Sequence, residues 1–383
     1  MKNITPALCY VGTDDKTIDL FEGQYVVPRG ISYNSYILFD EKIAVFDTAD
    51  KRKTQEWLQN VETALGGKSP AYLIISHMEP DHSASIAAFF KKYPHAIAVG
   101  NDKTFTIAER FFGNAIQNKH TVKDGDELSL GSHTLKFIFA PMVHWPEVMF
   151  TYEMSEKILF SADAFGKFGT LDTNEDWTDE ARRYYLNIVG KYGNSVQAIL
   201  KKAATLDIQT ICPLHGPMLT ENLGYYLEKY DVWSSYRAEE QGVLIAYASI
   251  YGNTEQAALK LAELLREKGV KVTVRDLARD DMAQTLADAF RYDKLVLASV
   301  TYDAALFPYT ETFLTRLKSK NYQNRKVALI ENGSWAPAAA RLMRARLEEM
   351  KDITFTQTTV TVPSAVHEDT LTALSALAKE LSE

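Results

Sequence analysis

Read for its alternation of apolar and polar positions, the chain changes rhythm partway along. Up to about residue 240, short apolar runs are separated by turns and by longer amphipathic stretches. Residues 33–39 (YNSYILF) and 43–47 (IAVFD) predict a hairpin, and 72–76, 97–99, 134–139 and 157–161 predict further strands. Amphipathic helical segments are expected around 53–65 and 179–206. This order suggests two sheets with helices outside. Beyond residue 242 the pattern is more regular. Strands at 243–249, 270–275, 294–299, 327–330 and 354–360 alternate with helices at 254–268, up to about 290, near 309–317, near 338–350 and from 367 onward. Five strands alternating with helices predict a doubly wound parallel sheet. A charged run ends at Gly242 just before the first of them, which sets the expected domains at 1–240 and 241–383.

Composition narrows the class. At 383 residues the chain is long for a single core, so two domains are the natural prior. Apolar residues make up 46% and charged residues 24%, as in an ordinary soluble globular protein. No apolar run approaches the roughly 20 residues that span a bilayer, and MKNITPALCY has no apolar core of a signal peptide. Only Cys9 and Cys212 are present, outside any C-x-x-C, which argues against a disulfide scaffold, a zinc ribbon and a cysteine-ligated cluster. A cytoplasmic protein is expected. The net charge of −8, with no dense Lys/Arg stripe, argues against a nucleic-acid partner.

The candidate chemistry falls just after predicted strands, where a rigid scaffold usually presents function. The stretch SHMEPDHS (76–83) follows an apolar run and holds His77, Glu79, Asp81 and His82. Four such side chains in one loop cannot all face one point, but they could face two points a few ångströms apart, as a binuclear metal site needs. Later strand ends offer His144 in PMVHWPE, Asp163 in LFSADAFG and His215 in ICPLHGP. The remaining histidines (His95, His120, His133, His367) read as ordinary loop residues, and Asp50 as a turn residue capping the helix that follows.

H-x-E-x-D-H followed by a later His, Asp and His resembles the metallo-β-lactamase-like domain of the flavodiiron proteins (A-type flavoproteins). Zinc hydrolases of that fold usually carry H-x-H-x-D-H, so Glu79 is the telling departure. The resemblance implies an αββα sandwich with His77, Glu79 and His144 on one iron, Asp81, His82 and His215 on the other, and Asp163 bridging them. Three carboxylates supply hard anionic oxygen that supports ferric iron, whereas imidazole suits iron and zinc alike.

A second constellation, Ser249-Ile250-Tyr251-Gly252-Asn253-Thr254, follows a strand and opens a helix, where hydroxyls, an amide and backbone N–H groups could converge on an anion. There is no G-x-G-x-x-G and no G-K-[ST]. The loop resembles the FMN phosphate loop of flavodoxins. Thr301, Tyr302 and Asp303 after the third strand, and Asn332, Gly333, Ser334 and Trp335 after the fourth, resemble the flavodoxin loops that hold the isoalloxazine ring.

The resemblance covers nearly the whole chain. It implies FMN, two Fe ions, and reduction of O2 to water or of NO to N2O. It also implies a head-to-tail homodimer, able to pair further into a tetramer. With no paired C-x-x-C knuckles in the sequence, electrons are expected from a separate donor, a rubredoxin-like protein ahead of coenzyme F420. Tyr25 and Trp145 are candidates for the gas pocket. Two other readings compete: a binuclear zinc hydrolase with a flavodoxin-like appendage, and a flavin electron carrier with a vestigial metal site.

Overall fold

The computed structural model describes residues 2–173 and 176–383. Two compact units divide it: Met1–Tyr185 with Asn194–Asp231, and Leu186–Gly193 with Val232–Glu383.

The first unit contains a seven-stranded and a five-stranded sheet. The larger runs Lys2–Asn3, Leu8–Tyr10, Tyr36–Leu38, Ala44–Phe46, Tyr72–Ile74, Ile97–Gly100, Lys119–Thr121. The smaller runs Glu127–Ser129, Thr134–Phe139, Met149–Glu153, Ile158–Phe160, Thr210–Cys212. One apolar cluster joins them, with Tyr36, Phe46 and Ile74 of one sheet against Phe137, Met149 and Phe160 of the other. Phe46 and Phe160 stack at its centre, ring centroids 3.9 Å apart. The predicted two-sheet sandwich is therefore present. The helices carry apolar stripes at helical spacing; in Thr54–Leu65 the buried residues are Trp57, Val61 and Leu65.

Three features differ from expectation. Met149–Glu153 forms a strand that the apolar pattern did not mark, because two of its five buried residues, Thr151 and Glu153, are polar and interrupt the apolar run. The amphipathic segment at 179–206 is broken into helices Trp177–Ile188 and Gly193–Ala203 by a short turn, Gly190–Tyr192. Gly193 opens the second helix where a side chain would not fit: a Cβ there would lie 2.3 Å from the Ser234 carbonyl oxygen and 2.8 Å from the Tyr236 ring. The stretch before residue 34 holds six very short strands, of two or three residues each.

Sheet register brings the polar loops together. Ile158–Phe160 and Thr210–Cys212 pair in parallel, so the chain leaves both at the same edge. Beyond the strands, Ser161 N–H still donates to the Cys212 carbonyl, and Leu214 N–H to that of Ala162. Asp163 and His215 thus emerge side by side.

The second unit has a parallel sheet in the order Val272–Asp276, Glu240–Tyr247, Tyr292–Tyr302, Arg325–Asn332, Ile353–Val362. This is the doubly wound order with a topological switch between its first and third strands, where ligands bind. After Tyr302 the chain turns back, pairing Tyr302 with Ala305.

Candidate functional site

The seven predicted metal-ligating side chains converge in two groups. His77, Glu79, His144 and Asp163 form one, and Asp81, His82 and His215 the other. In the first, His144 Nε2 lies 3.0 Å from Glu79 and 3.2 Å from Asp163 Oδ2, and 3.4 Å from His77 Nε2. In the second, His215 Nε2 lies 3.2 Å from Asp81, and His82 Nε2 lies 3.3 Å from Asp81 and 3.1 Å from His215 Nε2. Asp163 belongs to both, because its other oxygen, Oδ1, sits 3.1 Å from His82 Nε2.

Imidazole nitrogens and carboxylate oxygens gathered this closely could hold a metal ion in each group. Both oxygens of Asp81 and of Asp163 are buried without a hydrogen-bond donor aimed at them. Burial opposes charge on the histidines, yet Asp163, Glu147 and Glu79 hold His77 well above the ordinary imidazole range. At His144, Asp163 and Glu79 likewise overcome burial and push the value up to about 9. The acids respond in the opposite sense: burial would raise Glu79 and Asp163, but the surrounding imidazoles hold both below the carboxylate range. Divalent cations would balance the same negative charge that raises these imidazoles. The mix of imidazole and carboxylate oxygen fits iron.

The loops that carry these ligands are locally strained. Met142, Ala162 and Phe165 adopt left-handed backbone angles (φ 65°, 47° and 68°) beside His144 and Asp163. Asp47, also left-handed at φ 51°, ends its strand and accepts hydrogen bonds from the N–H groups of Ser76 and His77, at 2.7 and 3.3 Å. It fixes the first ligand's backbone, and burial pushes its own carboxyl up to about 6.

Four residues around the site escaped the sequence reading. Asp47 is one. Glu147, fully buried, lies 2.8 Å from His77 Nδ1 and accepts the Met78 N–H. Ser32 accepts from His215 Nδ1 through its carbonyl, at 2.7 Å. Tyr184 has a buried hydroxyl without a hydrogen-bond partner, and its ring lies 5.5 Å from that of His215. Asp47, Ser32 and Tyr184 belong to no motif noted in the sequence; Glu147 closes the stretch PMVHWPE, but its partner His77 lies 70 positions away, so the motif alone did not mark its role.

Of the two suggested pocket residues, Trp145 meets His77 edge-on, centroids 5.4 Å apart. Tyr25 is buried against Phe168, which in turn packs on Tyr184. Asp50 caps a helical turn through the Arg52 N–H, as expected. His133 pairs with Asp40, and His367 opens the last helix.

In the second unit a cavity of about 470 Å3 opens at the carboxyl ends of the parallel strands. Ser249, Ile250, Tyr251, Asn253 and Thr254 line it, with residues 300–304, 332–336 and Ser364. The helix Asn253–Glu267 starts there with no side chain capping its first N–H groups, which leaves them free for an anion. Gly252 does not line the cavity; at φ 90° it turns the chain, and its N–H donates to Ser249 Oγ. Thr301 lines the wall while its hydroxyl accepts from the N–H groups of Ala338 and Ala339, anchoring the start of the next helix. Tyr251 and Trp335 are almost wholly exposed at the rim. The residues expected to hold FMN line this cavity, Gly252 excepted, and the uncapped helix start suits an anion.

Known proteins agree with this arrangement. Residues 31–216 match the family model described as ODP family beta lactamase, and residues 245–374 match that of flavodoxin. An uncharacterized protein of Methanocaldococcus jannaschii is 31% identical over 317 residues, covering 81% of this chain and 80% of its own. A nitric oxide reductase of Moorella thermoacetica is 28% identical over 358 residues, covering 91% and 90%. The crystal structure of the flavodiiron protein from Giardia intestinalis superimposes with a TM-score of 0.90 at 25% identity, over 99% of this chain and 95% of that one. A β-lactamase-like unit with seven convergent histidine, aspartate and glutamate side chains, followed by a flavodoxin unit, makes this chain a member of the flavodiiron family.

Proposed function

We propose that this chain is the terminal reductase of an electron relay, an FMN- and di-iron-dependent oxidoreductase acting on O2, NO or both. The observation that carries the reading is the division of Asp163 between two ligand groups, in a chain that also builds an anion-ready cavity at a flavodoxin switch point. When bound, FMN accepts and releases electrons singly or in pairs, and the iron pair offers redox-active positions for a diatomic gas.

The residues have separable tasks. His77, Glu79 and His144 would hold one iron and Asp81, His82 and His215 the other, with Asp163 available to both. The three carboxylates supply the anionic oxygen that favours the oxidised metal. Trp145 covers the flank of His77, and Tyr184, with a buried hydroxyl that has no hydrogen-bond partner, packs beside His215. The uncapped helix start takes the FMN phosphate, assisted by Ser249, Asn253 and Thr254, while Tyr302 and Trp335 flank the ring.

A rubredoxin-like protein is the proposed donor, and a head-to-tail homodimer in the cytoplasm the proposed working form. Among the described residues no helix is long and apolar enough to cross a membrane. The zinc-hydrolase reading is disfavoured by Glu79 and by the flavin cavity. The decisive experiment follows NO and O2 consumption by iron- and FMN-loaded protein fed with reduced rubredoxin. Turnover of either gas is expected. Turnover of neither, with FMN visibly reduced by the donor, would overturn the reading. Glu79→His should keep the fold and weaken gas reduction.

A further inference from the structure

The two ligand groups are backed differently. Behind His77, the outer ring nitrogen Nδ1 faces a carboxylate, with Glu147 Oε1 2.8 Å away. Behind His215, the equivalent nitrogen faces a neutral group, the Ser32 carbonyl at 2.7 Å. Behind His82, Nδ1 is buried with no partner at all.

Glu147 is built into place. It is fully buried, and its Oε1 also accepts the Met78 N–H at 2.9 Å. Its main-chain carbonyl takes a 2.7 Å hydrogen bond from Asn101 Nδ2, and Asn101 is the capping-box residue of the helix Asp102–Phe112. Its second oxygen, Oε2, has no hydrogen-bond partner. A buried carboxylate with a bare oxygen is costly, so its position calls for a compensating gain. An imidazole that donates Nδ1–H to a carboxylate is locked in the Nε2-ligating tautomer, and its Nε2 becomes a stronger donor to a metal.

We propose that Glu147 is a positioning residue that makes the two halves of the metal site unequal, strengthening the half that contains His77, Glu79 and His144. It touches neither metal nor substrate and acts through His77. In the half built on Asp81, His82 and His215 neither outer ring nitrogen is hydrogen-bonded to a carboxylate, and this half is the weaker. The inference rests on the reading of His77 as a metal ligand, and it goes further in ranking the two sites.

The test is an anaerobic titration of metal-free, full-length protein with Co(II), followed by its visible absorption and by a competing chelator. Wild type should take up two equivalents in distinguishable steps. Glu147→Gln keeps the shape and removes the charge. It should weaken one equivalent by about 10–100-fold and leave the other unchanged. The same loss should persist when the second half is disabled by His215→Ala and disappear when the first is disabled by His144→Ala. A purely structural role would weaken both equivalents together, and that outcome, or no change in either, overturns the inference. Should Glu147→Gln fail to fold, Glu147→Asp is read in its place. Its retained charge at a longer reach should weaken the same single equivalent, and an unweakened or uniformly weakened titration overturns the proposal equally. A wild type that binds no metal would instead reject the ligand assignment itself.

Discussion

Asp163 and His82 lie 3.1 Å apart through Asp163 Oδ1 alone, which leaves Oδ2 to face His144 at 3.2 Å. One carboxylate therefore serves both ligand groups. Asp163→Asn keeps the volume but replaces one oxygen by an N–H group that repels a cation. Metal content, measured by plasma emission after loading with Fe(II), should fall from two ions per chain to one or none. Two retained ions would remove Asp163 from its shared role.

Trp335 tests the flavin cavity. It lines the cavity with 91% of its surface exposed, so its removal leaves no hole in a core. An aromatic contact of this kind contributes about 0.5–1.5 kcal/mol, equivalent to roughly a 2–10-fold change in affinity. Fluorescence titration of the apoprotein with FMN should show Trp335→Ala binding more weakly by that factor, with an unchanged melting temperature. An unaltered FMN affinity would place the ring's partner elsewhere.

The turn after Tyr302 should be under strain. Asp303 and Ala304 both sit in the left-handed region, at φ 49° and 58°, between the paired residues Tyr302 and Ala305. A two-residue hairpin of this kind favours Asn-Gly or Asp-Gly, and alanine in the second place costs about 1 kcal/mol. Ala304→Gly should recover part of that and raise the midpoint of urea unfolding. A lowered midpoint would mean that the alanine methyl contributes more by contact than it costs in conformation.

Acid stability provides an independent check on the first unit. Asp40 is surrounded by donors: burial works against its charge, but the N–H groups of His133 and Glu41, the His133 imidazole and the Ser132 N–H hold its carboxyl well below the usual range. A carboxyl depressed in the folded state stabilises above its unfolded value, about 3.9, and that contribution is lost as pH falls through the folded value. Asp40→Asn should therefore be less stable than wild type above about pH 5, with the gap narrowing as the solution is acidified below about pH 4. A gap independent of pH in melting curves across that range would show that Asp40 acts through shape and hydrogen bonds rather than charge.

Much of the candidate site was legible in the sequence because its residues stand in segments that follow strands. His77, Glu79, Asp81 and His82 share one short stretch, and His144, Asp163 and His215 each follow an apolar run, with Gly or Pro within three positions. The parallel sheet of the second unit was legible for a related reason: strand and helix periods differ, and their alternation survives wherever elements are long enough to show it. The strand Met149–Glu153 left no such trace, since it buries the polar residues Thr151 and Glu153 among its apolar ones. The strands before residue 34, two or three residues long, are too short to display a period.

The sequence by itself determined which residue types could bind metal and flavin, and the kind of sheet that presents them. Tertiary structure alone decided how they are shared and supported. Asp163 divides between two groups because parallel pairing of Ile158–Phe160 with Thr210–Cys212 sets it beside His215. Glu147 meets His77 across 70 positions, and Ser32 meets His215 across 183. Periodicity records which face of an element is buried. It carries no record of what lies opposite, because that is set by register and by loops that cross between sheets.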